Sequence, residues 1–203
     1  MSPRKYRMGA RADAVQQTRD RIVAAAMALH AERGVQATGW DDIAAAAGVS
    51  AATVYRHFGS LDELIPACAQ TVFAIIVPPT LEEARRQFAT MDDLTDRFEH
   101  LARESAHCYQ RGEQWLHAAY RERDFIPALA AALAVIEDTL KVLVNAAADR
   151  RLTKAQNSEL FVLCNFPLWK QLVDSGLGYA NAEAACIGLV RDAVSRIVDD
   201  RRT

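Results

Sequence analysis

The sixteen residues from Ile43 to Phe58 constrain this chain more than any other stretch. Ala47 closes a short helix, Gly48 supplies a left-handed turn that costs other residues a Cβ clash, Val49 plugs the corner and Ser50 caps a new helix. Small Ala44 and Ala47 allow the two helices to cross closely, and Ile43, Val49, Val54 and Phe58 form a miniature core between them. The second helix is then left with a polar face of Thr53, Tyr55, Arg56 and His57. Two short helices about such a turn make a helix-turn-helix, whose second helix fits the major groove of duplex DNA.

The flanking sequence is helical too. Alanine crowds most segments while strand-type alternation is nearly absent, so an all-α fold is expected. Ile22, Ala26 and Leu29 recur at helical spacing and predict a first helix over about 14–32, stopped by Gly34. Thr38 or Gly39 can cap a second helix near 41–47, with Asp41 and Asp42 in its first turn. Capping boxes are read at Ser60/Glu63, Thr80/Glu83 and Thr153/Gln156. Later helices are expected near 81–89, 92–111, 113–121, 127–150, 154–174 and 182–199, with Pro167 kinking the penultimate one. The expected architecture is a helix-turn-helix head over 1–66, joined through a long fourth helix to a helical body over 67–203. About nine to ten helices are expected in all.

From Ile22 to Leu64 the chain resembles the tetracycline-repressor (TetR) family head nearly throughout. The resemblance rests on the Ile22-x-x-Ala25-Ala26 helix, Gly34, Asp42-Ile43-Ala44, Ala47-Gly48-Val49-Ser50, Thr53-Val54-Tyr55-Arg56-His57-Phe58, Ser60 and Glu63-Leu64. It implies that Ala51, Ala52, Thr53 and Arg56 face bases or nearby backbone, and that Ser50, Tyr55 and His57 hold phosphates. Thr38 and Trp40 would join the contacts at the start of the second helix. Arg56 is the expected sequence reader, since arginine can grip guanine bidentately. Two lysines usual in the family are replaced by Ala51 and Leu61, and Gly39 stands where a hydroxyl residue is usual. Residues 1–21 carry six basic and two acidic side chains, a local +4 within a chain of net charge −2. Arg7 and Arg11 of this leader are therefore expected to compensate in a minor groove.

The resemblance further implies a homodimer on a palindromic operator, and release by a small-molecule effector. In the last two helices the apolar faces are too broad for one-sided packing. Leu160, Leu163, Cys164, Leu168, Ile187, Val190, Val194 and Ile197 are expected at an isologous interface, with an internal core as the competing use. Phe98, His107, Tyr109, Trp115, Tyr120, Phe125 and Trp169 are candidates to line an effector cavity.

Cys68, Cys108, Cys164 and Cys186 are widely spaced, with no CxxC pair and no neighbouring histidine at ligand spacing, so neither a metal nor a disulfide framework is expected. No Gly-rich phosphate loop, GxSxG or HExxH motif is present, and no enzyme or cofactor is expected. The start of the chain lacks the apolar core of an export signal, and a cytoplasmic protein without a membrane partner is expected. The rival reading is a helical ligand-binding or adaptor protein whose DNA-binding head has weakened.

Overall fold

The computed structural model describes the backbone of residues 3–199 and the side chains of residues 11–199. Among these there is no strand. The helices are α1 (Pro3–Arg33), α2 (Trp40–Ala47), α3 (Ala51–His57), α4 (Leu61–Ile76), α5 (Leu81–Phe88), α6 (Leu94–Glu122), α7 (Pro127–Ala148), α8 (Lys154–Cys164), α9 (Phe166–Leu172) and α10 (Gly178–Asp199), with one π turn at Val173–Leu177. The all-α architecture is the one expected.

By contact the chain forms two compact units. The first comprises residues 1–72 and takes in 118–132, the end of α6 and the start of α7. Its interior is built from Ile22 and Ala26 of α1, Ile43 of α2, Val54 and Phe58 of and after α3, and Leu64 of α4, all essentially without solvent contact. A second cluster joins Val35 and Ile65 to Ile126, Ala128 and Leu129. The second unit comprises residues 73–117 and 133–203. There Phe98, Leu101, Leu140 and Val144 pack with Leu160, Cys164, Val190, Val194 and Ile197 around one core.

Local chemistry explains most boundaries. Thr80 and Thr153 accept from the backbone N–H of Glu83 and Gln156, whose side chains return the bond to the capping residue's own N–H at 2.8 and 3.0 Å. At Ser60 the box is shifted, because the Glu63 carboxylate accepts from Gly59 N instead, at 2.8 Å. Helix α4 ends with Val77 in the left-handed region, at φ 46°. The Arg111 guanidinium closes that end by donating Nε–H to the Ile76 carbonyl at 3.1 Å. By composition Leu61–Phe88 could pass for a membrane span, but the helix stops at Ile76 and Pro78-Pro79 separates it from α5.

Three boundaries differ from the sequence expectation: α1 begins at Pro3 rather than near residue 14, so it takes in the basic leader, and two later breaks fall elsewhere. Gly112 does not break α6: it lies inside one helix, where an added Cβ would meet Ile76 Cγ2 at 2.5 Å. The glycine is there for close approach, not for a turn. Pro167 does not kink a single helix. The chain breaks fully at extended Asn165, whose Oδ1 accepts from Phe166 N at 2.8 Å, and Pro167 occupies the first turn of a new helix, where its missing N–H is not needed.

Candidate nucleic-acid interface

Gly48, at φ 65° and ψ 39°, takes the left-handed turn between α2 and α3, and its N–H together with that of Val49 closes the carbonyls at the end of α2. Ser50 caps α3: its Oγ accepts from Thr53 N at 3.2 Å and lies 2.9 Å from Thr53 Oγ1. With Val54 and Phe58 fully buried on one side, the opposite face of α3 is open. Ser50, Ala52, Tyr55 and Arg56 are exposed, and Ala51, Thr53 and His57 are half-buried. The Trp40 ring packs against Tyr55, with centroids 5.3 Å apart and planes tilted by 36°. The predicted contact residues from Trp40 to His57 are thus gathered on α3 and the start of α2. Thr38 is occupied locally, donating its hydroxyl to Gly34 O at 2.7 Å. Arg11 is exposed on α1, which takes in the basic leader from Pro3 onward, while the Arg7 side chain lies outside the described residues.

Sequence reasoning missed what holds this face in place. Arg19 of α1 donates to the His57 carbonyl at 3.2 Å and lays its guanidinium 4.1 Å from the centre of the Phe58 ring. A cation there satisfies the C-terminal end of α3 and complements its dipole. His57 is held below the usual histidine range, first by partial desolvation and then by Arg56 and Arg19.

A second missed residue is Glu122. Its Oε2 accepts from Val35 N at 2.8 Å and Gln36 N at 2.9 Å, while Oε1 pairs with Arg121 at 3.2 Å. The carboxylate sits directly over Gly34, whose φ of 91° and lack of a Cβ make room for it: a Cβ would stand 2.0 Å from Oε1. The turn that orients α2 after α1 is therefore pinned by a buried carboxylate 87 residues away in sequence.

In the second unit the predicted cavity residues scatter. Tyr109 lines an interior cavity of about 50 Å³ whose walls include Phe73, Leu101, Ser105, Cys108 and Leu140. The Tyr109 hydroxyl donates to Cys164 O at 2.8 Å. Phe98 lies wholly in the core. Trp169 is buried and stacks on Tyr179. His107 faces Glu183 at 3.2 Å and Glu104 at 3.7 Å. Trp115 is half-buried. In the first unit, Tyr120 carries Arg123 over its ring and Phe125 is exposed.

Of the predicted interface residues, Leu160, Cys164, Val190, Val194 and Ile197 are buried within the single chain, and Leu163, Leu168 and Ile187 are half-buried. Apolar side chains left outside on these helices include Val162 and Leu189, 55% and 41% exposed.

Residues 22–68 match the family described as bacterial regulatory proteins, tetR family. Over 77 residues the chain is 40% identical to the HTH-type transcriptional dual regulator CecR of Shigella flexneri, a match to 36% of this chain and 34% of that protein. The chain thus spans about a third of the length of that curated relative. The fold is similar to that of a protein of Mesorhizobium loti MAFF303099 assigned to the TetR family of transcriptional regulators (TM-score 0.61, 16% identity, 89% of this chain and 96% of that one). It is also similar to a transcriptional regulator of Rhodococcus sp. Rha1 (0.61, 18%, 87% and 96%) and to the multidrug binding protein EbrR, solved with imidazole (0.57, 19%, 84% and 88%).

Proposed function

We propose that this chain, which carries the head of a tetR-family regulator, is a cytoplasmic transcriptional repressor that binds a palindromic operator as a homodimer and releases it when a small molecule enters the body. The observation that carries the reading is the open face of α3, capped by Ser50 at one end and held by Arg19 at the other. Its exposed Ala52, Tyr55 and Arg56 are free to meet base edges and phosphates. In a gel-shift assay against genomic fragments, Arg56→Ala should weaken the preferred site by about 1–3 kcal/mol, roughly 5- to 150-fold, and relax its sequence preference. A wild-type chain that forms no sequence-preferring complex at low salt would favour the adaptor reading instead.

Because Leu160, Cys164, Val190, Val194 and Ile197 already fill the protomer's own core, the dimer face is assigned to the outer side of α8 and α10. Exposed Val162, Ala184 and Leu189 lie there, with half-buried Gly188, where an added Cβ would meet open space. In a two-fold interface each change counts twice. Val162→Asp combined with Leu189→Asp should therefore give a monomer in sedimentation at micromolar concentration, with operator affinity falling in parallel. A dimer that survives both changes would move the interface elsewhere.

The interior cavity beside Tyr109 is the effector site in this reading. At about 50 Å³ it is far below the ~300–1,000 Å³ of ordinary ligand pockets, so an effector selects a repacked state of the body. Helix α6 carries Leu101, Ser105, Cys108 and Tyr109 of the cavity wall and ends at Glu122.

A further inference from the structure

A second concavity in the body lies apart from the interior cavity. It measures about 540 Å³ and is bounded by α5, the first turn of α6 and the last turns of α7, a size ordinary for a small-molecule site. Its walls are of two kinds. Leu81, Val142 and the edge of the largely buried Phe88 are among its apolar lining residues, and Arg85, Arg97 and Arg150 line the same hollow.

The three arginines are not equivalent. Arg97 is committed: its Nε donates to the Met91 carbonyl at 3.0 Å and its Nη1 lies 3.4 Å from Asp149. Asp149 is also the sole acidic side chain on the cavity wall. Arg85 and Arg150 have neither an ion pair nor a side-chain hydrogen bond among the described residues. Other charged groups of this neighbourhood do pair, as Arg86 does with Glu82 at 2.6 Å. Two uncompensated cations beside an apolar wall favour a ligand with a negative head on an apolar body, because guanidinium groups match planar or tetrahedral oxyanions by paired N–H donation. Neither a neutral apolar molecule nor a bare inorganic anion uses both walls.

We propose that this hollow is a second ligand site, separate from the interior cavity, for an anionic amphiphile whose carboxylate or phosphate head lies between Arg85 and Arg150 and whose apolar body covers Leu81, Phe88 and Val142. The site needs neither DNA nor a partner chain, so the full-length protein alone suffices for the test. Isothermal titration with decanoate and with decyl phosphate should give saturable one-to-one binding of at least one of them per chain, with decanol and inorganic phosphate at least tenfold weaker. Arg85→Gln and Arg150→Gln should each weaken the bound amphiphile about tenfold, the loss of one charge-assisted contact, and the double variant should abolish binding while leaving the helical circular dichroism unchanged. Ser105→Leu, which fills the interior cavity, should leave this binding intact. The proposal is overturned if neither amphiphile binds, if decanol or inorganic phosphate binds as well as they do, if the arginine variants bind normally, or if Ser105→Leu is the change that removes binding.

Discussion

Replacing Glu122 by alanine should cost the head about 3 kcal/mol of stability and weaken operator binding with it. The carboxylate is 7% exposed and receives two backbone N–H groups, at 2.8 and 2.9 Å. A hydrogen bond to a charged acceptor contributes about 1.5–3 kcal/mol, and an alanine leaves the buried Val35 N–H without a partner. Removing a buried charge gives part of that back, which is why the expected loss is nearer 3 than 6. Glu122→Gln keeps one acceptor oxygen at the same reach and should lose only about 1 kcal/mol. Urea titrations of the three proteins give the comparison. An alanine variant within about 0.5 kcal/mol of wild type would mean that water replaces the carboxylate and that the α1–α2 turn is not held by it.

The operator affinity of the same variants separates fold from transmission. If Glu122 only stabilises the head, a saturating DNA concentration restores wild-type occupancy through mass action. If it also carries the effector signal from α6, the alanine variant binds DNA but responds less to whatever effector releases the wild type. The first outcome is the one expected, because among the described residues the carboxylate's bonds go to the backbone of the α1–α2 turn and to Arg121.

The head was legible in the sequence because its determinants are local. Gly48, Ser50, Val54 and Phe58 fix a turn, a cap and a core within a dozen residues, α2 lies within a residue of its expected bounds, and α3 starts directly after the expected Ser50 cap. Arg19 and Glu122 were not legible. Each acts on a backbone group 38 or 87 residues away, and nothing in the spacing of a charged residue announces a partner so remote. The body failed in a different way. Periodicity identified the buried faces of α8 and α10 but left open what buries them: five of the residues offered to a partner chain are spent on the protomer's own core, the competing use, and outward Val162 went unnoticed. Gly112 and Pro167 misled for a related reason. Both residues break helices on average, yet one permits close contact with Ile76 and the other starts a helix.

A second large effect follows from His30, which faces the same carboxylate. The ring is 5% exposed, and its Nε2 has no hydrogen-bond partner among the described residues. Burial lowers its pKa from 6.5 to about 4, against an opposing attraction from Glu122. Below pH 6.5 the unfolded chain takes up a proton that the folded chain refuses. Stability is therefore complete above about pH 6.5 and is lost as pH falls towards 4, by about 3 kcal/mol over that window. His30→Leu removes the proton without removing the shape. Near pH 7 it should be neutral or slightly stabilising, because the unpaired ring nitrogen goes with it, whereas at pH 4.5 it should be more stable than wild type by about 2 kcal/mol. Carboxylate protonation affects both proteins alike, so the difference between their urea midpoints across pH isolates the histidine. Parallel curves would mean that His30 finds a proton acceptor when it charges. In that case Glu122 is the candidate, and in the Glu122→Ala background the two curves should separate again.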